Sequence, residues 1–352
     1  MASFQGLSPS SEAIRLFEEN SIGGLFLFGE NCPSVKKTHD NIMMLKAHAP
    51  KDLPLCVAVD HEGGRVHRLP KPVIHFPPMR LLGALYERLP SSKLAVAVGK
   101  VMAKELKEIG INLNFSPVVD VDTNPLNPVI GDRSFSNNPE VVSLVARQLI
   151  QGLQEGGLAA CAKHFPGHGD TDGDSHKVLP HLPHNRKRLN AVELAPYRAV
   201  IQQNVSAIMT AHVVYDGIDK GVPATLSVKI LRDILRNDLG FQGLIVSDAF
   251  NMKAIADHWP MEEAAVQSFN AGCDLLLTIG VELKKIKQVI DFFTKAVREK
   301  RIPEERIDES FARIVAFKKK YCVRSGAFIP DYTIIGCSEH KKILNKFKEF
   351  VV

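Results

Sequence analysis

Residues 163–176, KHFPGHGDTDGDSH, hold three histidines, three aspartates, three glycines and one lysine, with almost no apolar residue after Phe165. Such a run suits a metal site, a polar turn or a proton-transfer loop. Asp170, Asp172 and Asp174 begin a D-x-D-x-D calcium pattern, but Ser175 and His181 stand where that loop needs Gly and a bidentate Glu. No HExxH motif and no helical i, i+4 pair sets two of His164, His168 and His176 on one helix face, so no metal is expected. As a plain surface loop, the glycines give mobility and the polar residues need no role. The catalytic reading rests on Asp174 and His176. Two apart in an extended segment, they project to the same side. The carboxylate can then fix the imidazole tautomer and favour its protonated form, which suits general acid/base work near neutral pH.

A loop of this kind needs rigid elements to aim it. Seven apolar bursts of strand length recur, at 24–28, 55–59, 111–116, 158–162, 206–212, 243–247 and 274–278, and ASFQG at the start is a weak eighth. Segments with helical periodicity separate them. LAVAVGKVMAKELKEIG stops at Gly110, and the helix from Asn138 stops at Gly156 and Gly157. NAVELAPYRAVIQQN opens on Asn190 and Glu193 as a capping box. Apolar strands joined by helices predict an α/β fold with a parallel sheet covered on both faces. Eight units make a (β/α)8 barrel, whereas seven leave an open doubly wound sheet. Polar residues stand at successive strand ends: Asp60, Lys163 with His164, His212 and Asp248. In barrels those C-terminal ends carry the active site, so one shared site is expected there.

The 352 residues carry a net charge of +5 without a basic-aromatic stripe, so no nucleic-acid partner is expected. No apolar run is long enough to span a membrane. The first residues lack a basic region followed by an apolar one, which points to a cytoplasmic protein without a secretory signal. Cys56, Cys161 and Cys273 lie in or beside apolar runs and read as buried, reduced thiols. The tail at 338–352 reads as a basic amphipathic helix, packed or frayed rather than a membrane anchor.

Four ordered blocks resemble glycoside hydrolase family 3, specifically its bacterial β-N-acetylglucosaminidases of cell-wall recycling: VDHEGGRVHRL (59–69), NPVIGDRSFSNNP (127–139), KHFPGHGDTDGDSH and GFQGLIVSDAFNM (240–252). The resemblance implies a single-domain TIM-type (β/α)8 barrel over 1–352, no cofactor, and retention of anomeric configuration. By position it makes Asp248 the nucleophile, His176 the proton donor and acceptor, and Asp174 its dyad partner. Asp60, Arg68, Arg133, Lys163 and His164 would bind the sugar. The implied substrate is a small muropeptide or disaccharide, GlcNAc-1,6-anhydroMurNAc with or without peptide, acted on by a monomer.

Each residue also has a local reading. Ser247-Asp248 resembles an N-cap for AFNMKAIADH. Asp60 and Arg68 read as surface charges, Lys163 as structural, His212 as a core histidine, Arg133 as a partner for Asp132, and Glu62 as a partner for Arg65. Lys163 or Arg133 would keep Asp248 ionised. The chain departs from the family pattern at Ala249-Phe250, where Asp-Leu is common, and at His61, where Gln is common. Two other functions compete: a metal-dependent hydrolase on a similar barrel, and a sugar-binding relative without turnover.

Overall fold

The computed structural model describes residues 1–19, 22–50, 52–323 and 329–349. Among the described residues nine strands form: β1 Gly24–Leu27, β2 Cys56–Val59, β3 Leu113–Asn114, β4 Ala159–Phe165, β5 His181–Leu182, β6 Ala207–Thr210, β7 Val214–Tyr215, β8 Leu244–Ala249 and β9 Leu275–Leu277. Seven make one parallel sheet in the order β1-β2-β3-β4-β6-β8-β9, one strand for each apolar burst, and β5 pairs with β7 apart from it. Ala2, in the weak eighth burst, bridges Leu25 on one side and Thr278 on the other, both in parallel. Its N–H donates to Gly24 O at 3.0 Å, and Thr278 N donates to Met1 O at 3.0 Å. The sheet is therefore curled, with β1 and β9 both meeting the first two residues.

The continuous apolar strands divide by alternation. Leu25, Val57, Val59, Ala160, Ala162, Ile208 and Ile245 face the surrounding helices. Phe26, Ala58, Leu113, Ala159, Cys161, Met209 and Val246 form a second core on the inner face. Both faces are dry, so alternation of polarity is unnecessary. β3 is shorter than the INLNFS burst because asparagine side chains complete its ladder. Asn112 Oδ1 accepts from Val57 N at 2.8 Å, and Asn114 Oδ1 accepts from His61 N at 3.0 Å.

Helix Leu94–Ile109 ends on Gly110 at φ +98°, in the left-handed conformation that glycine adopts without strain. The helix predicted over 190–204 is two: Arg186–Ala191, capped by Asn185, and Leu194–Gln202. Pro196 lacks an N–H and crowds the carbonyl four residues earlier, so it is accommodated only in the first turn of a new helix. Asn190 and Glu193 form no capping box; Glu193 accepts instead from Arg188 Nε at 3.1 Å. Of the tail, Ser338–Glu349 is a helix that buries His340 and Phe347, while 350–352 lie outside the described residues. All six cysteines are free, and Cys56, Cys161 and Cys273 are buried. Among the described residues no helix is long and apolar enough to cross a membrane.

Candidate active site

The parallel sheet brings its C-terminal ends together around one cavity. Seven of the eight sequence-selected residues line it: Asp60, Arg68, Arg133, Lys163, His164, His176 and Asp248. Asp174 stands behind, holding His176.

A charge network occupies one side. Lys163 Nζ, on β4, reaches Asp60 Oδ1 at 2.8 Å and Glu62 Oε1 at 2.6 Å. Arg133 forks onto Glu62, Nε to Oε2 and Nη2 to Oε1, both at 2.9 Å. Arg68 Nη2 donates to the remaining Asp60 oxygen at 3.2 Å. Burial raises the Glu62 carboxyl, yet Arg133 and Lys163 outweigh it and hold the group below the ordinary range. Burial lowers the Lys163 ammonium, and Asp60 and Glu62 more than restore it. The local pairings therefore fail. Glu62 binds Arg133 and Lys163, not Arg65, while Arg65 takes Asp132 at 2.7 Å on the surface. Asp60 and Arg68 are not free surface charges.

The second group centres on Asp120, which the sequence reading passed over. This buried carboxylate accepts from His164 Nδ1 at 2.8 Å and from His168 N at 2.7 Å. Its only signal was an acid closing the NFSPVVD run after β3. Burial raises Asp120, but the His164 and His168 contacts bring it below the ordinary carboxylate range.

Asp248 projects from the end of β8, inside the strand, and caps no helix. Burial raises its carboxyl; His212, His164 and the Ala249 N–H at 2.7 Å pull it lower. Histidines, rather than Lys163 or Arg133, thus favour its ionised form. His212 is buried between Thr225 Oγ1 at 2.8 Å and Ala249 O at 3.1 Å.

His176 is 62% exposed and its Nδ1 lies 2.8 Å from Asp174 Oδ1. The same oxygen accepts from His176 N at 2.9 Å, so the expected pair forms as a closed local ring. Burial raises Asp174, and the backbone and ring of His176 bring it below its ordinary value. The rest of the loop is packed more tightly than its glycines suggested. His168, Thr171 and Ser175 are buried. A Cβ on Gly169 would stand 1.9 Å from Val121 O, so that glycine serves close packing. The three histidines take different partners, His164 to Asp120, His168 to Thr171 and Ser175, and His176 to Asp174. Among the described residues no three metal-ligating side chains converge.

These residues supply an ionised carboxylate and a carboxylate-held imidazole beside a cavity rich in hydrogen-bonding groups. That equipment serves displacement at a polar, hydroxyl-rich substrate. The sequence profile of the glycosyl hydrolase family 3 N-terminal domain matches residues 2–317. The chain belongs to this family. Within it, the chain groups with the β-N-acetylhexosaminidases, a class of glycoside hydrolase. A beta-hexosaminidase of Neisseria meningitidis serogroup C (strain 053442) is 41% identical over 275 residues, which cover 75% of each chain. Beta-hexosaminidase A of Pseudoalteromonas piscicida is 35% identical over 94% of this chain, which spans only 59% of that relative. NagZ from Neisseria gonorrhoeae, solved in complex with N-trifluoroacetyl-D-glucosamine, superposes with a TM-score of 0.84 at 31% identity, covering 100% of this chain and 97% of that one. A family 3 β-N-acetylglucosaminidase from Paenibacillus sp. str. FPU-7 gives 0.92 at 37% identity, covering 99% of this chain and 66% of that one.

Proposed function

We propose that this protein is a retaining exo-β-N-acetylglucosaminidase. Its substrates are peptidoglycan fragments, GlcNAc-1,6-anhydroMurNAc with or without peptide, from which it removes the non-reducing GlcNAc. The observation that carries this reading is the meeting of Asp248 and the Asp174-held His176 at one cavity. Asp248, kept ionised, attacks the anomeric carbon. His176 gives its proton to the departing glycosidic oxygen, which leaves as an alcohol. The glycosyl-aspartate ester that results is opened by water, whose proton His176 takes, so two displacements retain configuration. Most retaining enzymes use a second carboxyl about 5–5.5 Å from the first for the proton work; here a histidine does it. Asp60, Arg68, Arg133, Lys163 and His164 hold the sugar hydroxyls, and the reaction needs no cofactor. The bridges of Ala2 support closure of the sheet into an eight-membered barrel; in this reading the protein is one domain and acts as a monomer in the cytoplasm.

An aryl β-N-acetylglucosaminide tests the reading. Wild type turns it over with or without EDTA, and Asp248→Ala loses at least 1,000-fold, on the order of what a covalent nucleophile contributes. No turnover by wild type, or full turnover by Asp248→Ala, overturns it. Inactivation by EDTA favours the metal-dependent alternative.

A further inference from the structure

Ser175 sits between the two halves of the proposed chemistry. Its hydroxyl lies 2.9 Å from His168 Nε2. Its backbone carbonyl accepts from Ala254 N at 3.2 Å, in the turn of helix that follows the Asp248 strand. The next residue is His176. The foot of this arrangement is fixed as well, because His168 N donates to Asp120, the carboxylate that also holds His164.

The proton positions follow from the neighbours. The Thr171 hydroxyl donates to the carbonyl oxygen of His168 at 3.1 Å or of Gly173 at 3.2 Å. It therefore accepts from Asn127 Nδ2 at 3.1 Å and from His168 Nδ1 at 2.8 Å. With its hydrogen on Nδ1, a neutral His168 presents a lone pair at Nε2, and Ser175 donates into it. Burial holds His168 in the neutral form, lowering it to about 4.

We propose that the Ser175–His168 hydrogen bond is a latch that sets His176 for proton transfer, with Ser175 and His168 as positioning residues. The proposal rests on the glycosidase reading above. A loop held at Ser175 places the backbone of His176 relative to the turn of helix after the Asp248 strand. Its distance from the Asp248 strand is then set by the Ser175–Ala254 bond rather than by excursions of the whole loop. The glycines do not oppose this, since Gly169 is packed against Val121.

The test compares kcat/KM on phenyl and 2,4-dinitrophenyl β-N-acetylglucosaminide for wild type, Ser175→Ala, His168→Gln and the double variant. Phenolate needs the proton from His176, whereas dinitrophenolate departs without it. Ser175→Ala is expected to lose about 10- to 100-fold more on the phenyl substrate than on the dinitrophenyl one, within the range general acid catalysis supplies. The double variant should lose no more than the worse single one, because both break the same bond. Equal losses on the two substrates, or losses that add, overturn the latch. If wild type hydrolyses neither substrate, the glycosidase reading falls, and hydrogen exchange decides the latch separately. The amides of Val178 and Ala254 should then exchange at least tenfold faster in Ser175→Ala; unchanged exchange overturns it.

Discussion

Glu62→Gln is the substitution that probes the charge network most directly. Glu62 is 3% exposed and accepts three charge-assisted bonds, two from Arg133 at 2.9 Å and one from Lys163 at 2.6 Å. Glutamine keeps the volume but removes the charge, offers one acceptor oxygen and turns an NH2 group toward Arg133 Nε. Arg133 keeps Val129 O at 3.1 Å, and Lys163 keeps Asp60 at 2.8 Å. Breaking a buried pair in this way costs about 3–5 kcal/mol. Unfolding entropy of about 2.1 cal/mol/K per residue gives roughly 0.7 kcal/mol per degree for 352 residues, so Tm should fall by about 4–7 °C. Arg133 and Lys163 also lose their pose in the cavity, and kcat/KM should fall about 100-fold. Calorimetry and aryl-glycoside kinetics measure the two effects. Asp132→Asn serves as the control: it breaks only the exposed Arg65 pair, worth at most about 1 kcal/mol, and should move Tm by less than about 2 °C. A Glu62→Gln protein that melts within a degree of wild type at full rate refutes the reasoning.

Acid sensitivity follows from His61 and His168, both lowered to about 4 by burial. An unfolded histidine takes its proton near pH 6.5, so between about 6.5 and 4 the unfolded state binds more protons and stability falls as pH falls, by up to about 3 kcal/mol for each histidine. Urea unfolding at pH 7 and 4.5 should show this, with His61→Gln removing about half of what His61 and His168 together contribute; an unchanged slope in that variant counts against it. Gly169→Ala places a methyl group 1.9 Å from the Val121 carbonyl oxygen, which must move, and should cost about 3 kcal/mol and slow aryl-glycoside turnover. Wild-type stability and rate in that variant would show that the loop is not packed as described. Asp120→Asn turns an amide donor toward the N–H groups of His164 and His168 and should destabilise by about 2–4 kcal/mol, read as a lower urea midpoint. An unshifted midpoint would remove Asp120 from the centre of the site.

Much of the architecture was legible because strands buried on both faces must be apolar throughout, and that leaves short bursts in the sequence. All seven strong bursts lie in strands of one sheet. The eighth was faint because its ladder contribution is two residues, Met1 and Ala2, held by both neighbours. The single helix expected over 190–204 breaks at Val192 and Glu193, which puts Pro196 in the first turn of a second helix; the proline was visible in the sequence but outweighed there by apolar periodicity. Motif blocks selected the residues that line the cavity, yet their pairings were misjudged. Glu62 was matched with Arg65 three positions away, whereas its partner Arg133 is 71 positions distant.

The sequence by itself determined the parallel α/β plan, the strand ends that carry polar residues, and the Asp174–His176 pair, because each depends on local spacing or on burial of whole segments. Only the tertiary structure decided which charges neutralise one another, that Asp120 anchors two histidines, and that the glycine-bearing loop is packed rather than free. Those outcomes depend on distances between residues far apart in the chain, such as Gly169 against Val121 and Lys163 against Asp60. Such distances arise only when the sheet curls and brings its strand ends to one place.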